Sequence, residues 1–210
     1  MKNEFIKRFL SSIFLIPIAY FVIIKGSYIF NIFLLICFFI TSFEWFNMIK
    51  QKLIRFIGLS FLLFSFYSVY KIRNDFDHNF LYFLFVTIVC VSTDIGGYIF
   101  GKIIGGPKLT KISPKKTYSG LIGSYLLSLI IINMYFNYKE VEFTIEILIF
   151  ILFISSISQA GDIIISYFKR ISKIKDTGKI IPGHGGLLDR IDGMIFAFPF
   201  SYLIFLNWTF

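Results

Sequence analysis

Between Ser166 and Asp192 the chain reads SYFKRISKIKDTGKIIPGHGGLLDRID, a polar stretch with six Lys or Arg, three Asp, one His and four Gly, set between two apolar runs. These are side chains suited to phosphate chemistry. Cations grip phosphate oxygens through charge-assisted hydrogen bonds, carboxylates hold a hard divalent metal, and glycine lets backbone approach a ligand. A second polar loop, Ile112-Ser113-Pro114-Lys115-Lys116-Thr117, adds two adjacent lysines. Asp94 and Asp162 lie inside apolar runs, where an acid is costly and is therefore a functional candidate. They precede Lys102 and Lys169 by eight and seven residues, which on a helix puts both roughly 10 to 12 Å below the basic loops. Asp189 and Asp192 are spaced i, i+3 where the last apolar run begins. That spacing predicts both carboxylates on one face of a first helical turn, with Arg190 on another. The four acids are expected to converge on one cavity open to the basic side.

The elements that must position them follow from composition. With 57% hydrophobic residues, 20% aromatics and 16% charged residues, and a mean hydropathy of +0.78, 210 residues cannot bury so much apolar surface in a water-soluble core. The expectation is an all-α, polytopic transmembrane helix bundle. Stretches of about 20 apolar residues fall near 9–24, 27–44, 53–70, 79–100, 118–136, 143–166 and 193–209, about seven spans. The first two, joined through Lys25-Gly26-Ser27, read as a helical hairpin. Residues 1–75 read as N-terminal transmembrane helices and 76–210 as a catalytic transmembrane region. The opening MKNEFIKRFL resembles a signal peptide, but no small-residue cleavage site follows its apolar run, so it reads as a retained helix.

Seventeen of the 21 Lys and Arg fall on one side of that topology, in residues 2–8, 50–55, 102–116 and 169–190, and only Lys25, Lys71, Arg73 and Lys139 on the other. The bias makes the first side cytoplasmic, so the protein is expected in the cell membrane, multi-pass, with its active site facing the cytoplasm. Attraction to anionic headgroups accounts for scattered basic residues, but not for eleven crowded into two loops. The helices starting near 118 and 193 would both begin on that side, where free N–H groups and the positive dipole end favour anions. His184 could touch a phosphate or a base, though a lone loop histidine is more often structural. Asp176, beside Lys175, reads as readily as a salt-bridge partner as a ligand. Gly97, Gly101 and Gly105, four apart, predict close approach by a neighbouring helix. Cys37 and Cys90 lie in apolar runs without metal or disulfide spacing and read as packing. No G-x-x-x-x-G-K-[ST] run is present, which gives a P-loop ATPase no support.

The run Ser166, Lys169-Arg170, Lys175-Asp176, Gly178, Pro182, His184-Gly185-Gly186, Asp189-Arg190, Asp192 closely resembles the C-terminal signature of the phosphatidate cytidylyltransferases, also called CDP-diacylglycerol synthases. Gln159-Ala160-Gly161-Asp162 and Ser113-Pro114-Lys115-Lys116-Thr117 also look like landmarks of that family. The resemblance covers roughly residues 90 to 210. It departs at Tyr118-Ser119-Gly120, where the family commonly has Trp-Glu-Gly, and in an N-terminal part shorter than in typical members.

The resemblance implies an enzyme, a nucleotidyltransferase that converts CTP and phosphatidate to CDP-diacylglycerol and pyrophosphate for phospholipid biosynthesis. It implies Mg²⁺, with room for a second cation, held by Asp162, Asp189 and Asp192. Those acids with Lys169 and Lys175 form the implied catalytic set. Ser113, Lys115, Lys116, Ser166, Arg170, Asp176, Lys179, His184, Gly185, Gly186 and Arg190 form the implied substrate-binding set, and Asp94 stands as an additional candidate. The expected partners are CTP, phosphatidate and other membrane lipids, with no nucleic acid and with a homodimer allowed. Such chemistry needs charge neutralisation and alignment rather than a strong base, because the lipid phosphate is already an anion. Two alternatives are a CTP-dependent polyprenol-type kinase, which would release CDP, and a cation-coupled transporter. The transporter would place acids near the midplane of two related halves, and no internal repeat is evident.

Overall fold

The computed structural model describes residue 17 and residues 20–74, 79–140, 142–181, 183 and 185–206. Seven helices follow a helical stretch at 20–25: α1 (Ser27–Met48), α2 (Lys52–Asn74), α3 (Asn79–Ile103), α4 (Tyr118–Tyr138), α5 (Ile145–Ile171), the four-residue α6 (Leu188–Ile191) and α7 (Met194–Phe205). Among the described residues there is no strand, only isolated bridges joining Lys108 to Thr117 and Ile181 to Gly185. The all-helical expectation holds, and five helices, α1 to α5, are long and apolar enough to cross a membrane. Chain and composition together are those of a multi-pass membrane protein.

Of the seven spans expected, five appear as long apolar helices among the described residues. The candidate at 9–24 lies largely outside the described residues. The candidate at 193–209 is represented by α7, whose 12 residues rise about 18 Å against a hydrocarbon core of about 30 Å. Its start is delayed by a turn at Asp192 and Gly193 that separates α6 from α7. Gly193 packs against α5 with its Cα turned to Ser158, where a side chain would strike the Ser158 carbonyl oxygen at 3.0 Å. Gly26, in the turn expected between the first two spans, has φ +60°, a conformation glycine adopts without steric cost.

The chain forms two compact units. One contains the described residues up to Tyr70 together with Phe168–Ile191; the other contains Lys71–Tyr167 and the described residues from Asp192 onward. Polar loop 168–191 thus falls in the same unit as α1 and α2.

Within the first unit, α1 and α2 are clamped around their short turn. The Trp45 indole donates to the Arg55 carbonyl at 3.1 Å and Arg55 Nε donates to the Ile49 carbonyl at 2.8 Å. Gly58 lies under the Trp45 ring, leaving no room for a side chain, and Phe168 packs edge-on to the same indole at 5.1 Å.

Within the second unit, α3 and α4 meet through glycine on both sides. A Cβ on Gly97 would sit 2.8 Å from Ser124 Oγ, one on Gly101 3.1 Å from Thr117 Oγ1, and one on Gly120 2.7 Å from the Gly97 carbonyl; Gly96 and Gly123 also lie in the seam. Without hydrophobic drive between helices in lipid, close backbone approach supplies the van der Waals contact that holds them. The expected small-residue stripe is therefore real at Gly97 and Gly101. Gly105 departs from it: nothing lies within 4 Å of its missing side chain, and its φ of +65° marks a turn beyond α3. An aromatic core of Phe85, Phe136, Phe150 and Phe205 fills the unit, with Phe85 stacked on Phe150 at 5.6 Å.

Candidate active site

In the second unit, the polar loop before α4 is built to present Lys116. Leu109 N–H donates to the Lys116 carbonyl and Lys116 N–H to the Ser113 carbonyl, while Ser113 N–H reaches Thr110 Oγ1 at 3.1 Å. Thr117 caps α4, its hydroxyl accepting from Gly120 N–H at 3.1 Å, and Ser119 donates to the Gly105 carbonyl. So held, Lys116 Nζ lies 2.5 Å from Asp162 Oδ2 and 3.5 Å from the Gln159 carbonyl. Both partners are about one quarter exposed, 24% and 29%, so the pair is reachable by a ligand. Ser166, one turn on, donates to Asp162 Oδ1 at 3.4 Å. Gly161 brings α5 against the Asp192 backbone, since a Cβ there would be 2.9 Å from the Asp192 carbonyl oxygen. Asp192 itself is buried and accepts from Gly193 N–H at 3.0 Å. Asp94 is exposed on α3, and Lys115 is exposed beside Lys116.

In the first unit, Asp189 is the hub. Lys169 Nζ donates to its Oδ1 at 2.7 Å. Its Oδ2 accepts from Thr177 N–H at 2.8 Å and Gly186 N–H at 3.1 Å, and lies 3.1 Å from the Thr177 hydroxyl, whose single proton is shared with a second acid. Burial by itself raises this carboxyl, but the Lys169 hydrogen bond and charge, with the backbone donors of Thr177 and Gly186, hold it below the usual carboxylate range. Lys175, Asp176 and Lys179 are exposed on the same loop. Asp176 makes no ion pair with Lys175 among the described residues; it lies beside Gly185, whose Cβ would come 3.1 Å from its own. Arg170 and Arg190 are exposed, Ser166 and Gly186 buried, and Gly185 is half-buried with φ +91°. His184 and Pro182 lie outside the described residues.

Sequence reasoning missed Glu44. This acid sits near the end of α1, 2% exposed, and accepts from Leu187 N–H at 2.9 Å, Leu188 N–H at 2.8 Å and Thr177 Oγ1 at 2.9 Å. The signal was available, since an acid in an apolar run marks a functional candidate, just as at Asp94 and Asp162. Glu44 also changes how the helix starts are read. In the loop ahead of the last helix the amides of Leu187 and Leu188 are spent on Glu44 and that of Gly186 on Asp189, and at α4 Gly120 N–H is spent on Thr117.

Residues 52–208 match the family model described as the cytidylyltransferase family. The chain belongs to the cytidylyltransferase family. The match begins well before residue 90, so α2 and α3 are part of the family region, and it takes in both polar loops. Among curated proteins, the phosphatidate cytidylyltransferase of Staphylococcus haemolyticus (strain JCSC1435) is 37% identical over 156 residues, 73% of this chain and 57% of that protein. That of Bacillus subtilis (strain 168) is 36% identical over 151 residues, 71% of this chain and 54% of that protein. The chain thus spans little more than half the length of these relatives. Within the cytidylyltransferase region fall Lys116, Asp162, Lys169, Asp189 and Asp192; Glu44 lies outside it.

Proposed function

We propose that this protein transfers the cytidylyl group of CTP to phosphatidate, giving CDP-diacylglycerol and pyrophosphate. The observation that carries the reading is the family match across 52–208, which includes both polar loops and the Lys116–Asp162 pair. A lipid phosphate oxygen forms a bond to the α-phosphorus of CTP, the bond from that phosphorus to the α,β-bridging oxygen breaks, and pyrophosphate leaves with the electron pair. No strong base is needed. The demands are neutralisation of crowded negative charge and in-line alignment, which Lys116 and the exposed Lys115 of the second unit are suited to meet.

The donor set of the second unit fits Mg²⁺. This ion typically takes one or two carboxylates and completes its shell with water and substrate phosphates. Asp162 is a partly exposed carboxylate already facing a cation, and Gly161 keeps Asp192 close to it in the backbone. These two would hold the ion, which when bound supplies charge neutralisation at the reacting phosphates. Lys116, 2.5 Å from Asp162, would add a second positive charge beside such an ion. Asp189 fits less simply. Lys169 and the N–H groups of Thr177 and Gly186 already occupy it, so service to a metal would require Lys169 to leave.

Both basic loops are assigned to the cytoplasmic face of the cell membrane, because CTP is water-soluble and the cation bias points there. The test is incorporation of label by purified protein in phosphatidate-containing vesicles with Mg²⁺. Label from α-³²P CTP should enter lipid, and label from γ-³²P CTP should not. Entry from the γ position alone would make the protein a kinase and overturn the reading.

A further inference from the structure

We propose that Glu44 is a positioning residue for this reaction, a buried carboxylate near the end of α1 that holds Thr177, Gly178 and the run Gly186 to Leu188 in their working positions. The inference rests on the reading above for the reaction it serves, and on contacts within the first unit for everything else. Both carboxylate oxygens are committed to that loop, Oε1 to Leu187 N–H and Oε2 to Leu188 N–H and Thr177 Oγ1. The loop is shaped to receive them. A Cβ at Gly178 would lie 2.5 Å from Oε1 and one at Gly186 2.5 Å from Oε2, so both positions must lack a side chain for Glu44 to dock. Thr177 then joins two acids. Its hydroxyl stands 2.9 Å from Glu44 and 3.1 Å from Asp189, and its N–H also binds Asp189, which in turn holds Lys169. A continuous chain of hydrogen bonds therefore runs from Glu44 through Thr177 to Asp189 and Lys169, two residues of the implied catalytic set.

An anion is required for this task. Two backbone N–H groups and one hydroxyl converge on the side chain, and a carboxylate accepts all three. A glutamine keeps the shape but turns an NH₂ donor toward N–H donors. Because Glu44 binds the loop and not a reacting group, the loss should appear in alignment. Displacements of about 1 Å away from the chemistry can cost roughly 100-fold in rate.

The experiment uses the full chain in detergent or vesicles and the variant Glu44→Gln. Hydrogen–deuterium exchange at the Leu187 and Leu188 amides should accelerate at least about tenfold, with the α4 amides unchanged, because lost hydrogen bonds open locally. In the label-transfer assay kcat should fall about 10- to 100-fold, with the CTP KM within about twofold. Wild-type exchange at Leu187 and Leu188, or unchanged kcat, overturns the proposal. A raised KM at unchanged kcat also overturns it, making Glu44 a substrate contact, and so does exchange accelerated equally throughout the chain, which marks a purely structural role. If Glu44→Gln does not accumulate as folded protein, Gly178→Ala carries the test, since its Cβ presses on Oε1. Local loosening and lost turnover support the proposal; wild-type behaviour refutes it. In addition, Gly178→Ala should do no further harm on top of Glu44→Ala, and additive losses would refute the contact. Wild-type protein that fails to move α-label into lipid refutes the proposed reaction, while the exchange comparison still decides the clasp.

Discussion

Substituting Asp189 by Asn tests the hub most directly. The Asp189 and Lys169 side chains are 4% and 11% exposed and 2.7 Å apart. An asparagine whose oxygen keeps the Thr177 and Gly186 donors turns its NH₂ toward Lys169, leaving a nearly buried ammonium without a counterion. Removing one member of a buried pair costs about 3 to 5 kcal/mol; the flexible lysine stem can reach for water, so the low end, about 3 kcal/mol, is expected. Lys169→Met should cost less, about 2 kcal/mol, because Asp189 retains the Thr177 and Gly186 donors and loses one charged hydrogen bond. Independent effects would sum to about 5 kcal/mol in the double variant. Removing both charges together leaves no orphan, so about 2 to 3 kcal/mol is expected, a coupling of about 2 kcal/mol. Chemical denaturation in detergent, followed by aromatic fluorescence, measures all three. Additivity within about 0.5 kcal/mol would refute the claim that the pair is energetically joined. The pH arm has a definite sign. A carboxyl held low in the folded state contributes fully above its unfolded value, about 3.9, and loses that contribution as pH falls through the lower folded value. Wild-type stability should thus converge on that of Asp189→Asn below about pH 4; a constant margin across that range would refute it.

Other outcomes can be stated more briefly. Asp162→Asn should reduce cytidylyl transfer at least about 100-fold with a wild-type melting curve, as its side chain supplies charge at a reachable position; Asp176→Asn, on an exposed side chain with no ion pair among the described residues, should shift stability by less than about 0.5 kcal/mol. Gly96→Ala should destabilise by about 1 to 3 kcal/mol through overpacking against α4. Gly105→Ala, with open space around it, should cost only the left-handed backbone penalty of about 1 to 2 kcal/mol; comparison of the two by thermal unfolding separates packing from conformation. Single cysteines at 111 and 179 should both react with an impermeant reagent only when the cytoplasmic face is opened, and labelling from opposite faces would overturn the orientation.

The legible parts of this molecule were those encoded locally. Five spans could be read because about 20 apolar residues in succession have one physical outcome in a bilayer, and the paired function of Gly97 and Gly101 because a four-residue spacing marks one helix face. Asp162, Lys116 and the polar run at 166–192 announced themselves by residue type. What stayed hidden depends on partners far apart in the chain. Glu44 resembles the end of an ordinary span until Thr177, Leu187 and Leu188 are brought to it, and no periodicity reports a pairing across 133 to 144 residues. The same pairing explains why 168–191 groups with α1 and α2. The break at Asp192 and Gly193 was hidden for a related reason: Gly193 follows the shape of Ser158 on α5, not any breaker pattern of its own.

The buried position of Glu44 imposes a schedule on biosynthesis. Its nearest bonding partner in sequence, Thr177, is 133 residues downstream, which at about 5 to 20 residues per second is emitted roughly 7 to 27 s after Glu44 itself. Throughout that interval α1 must enter the bilayer with an acid at its end and none of its final donors made. A central charge on a spanning helix costs about 2.5 to 3.5 kcal/mol on insertion scales; a location three to four residues from the end of α1 lets the headgroup region and its water hold the carboxylate until the loop arrives. Chains that stall before residue 177 would remain in that waiting state, with an acid still solvated at the membrane surface, and would offer quality-control proteases a recognisable unfinished product.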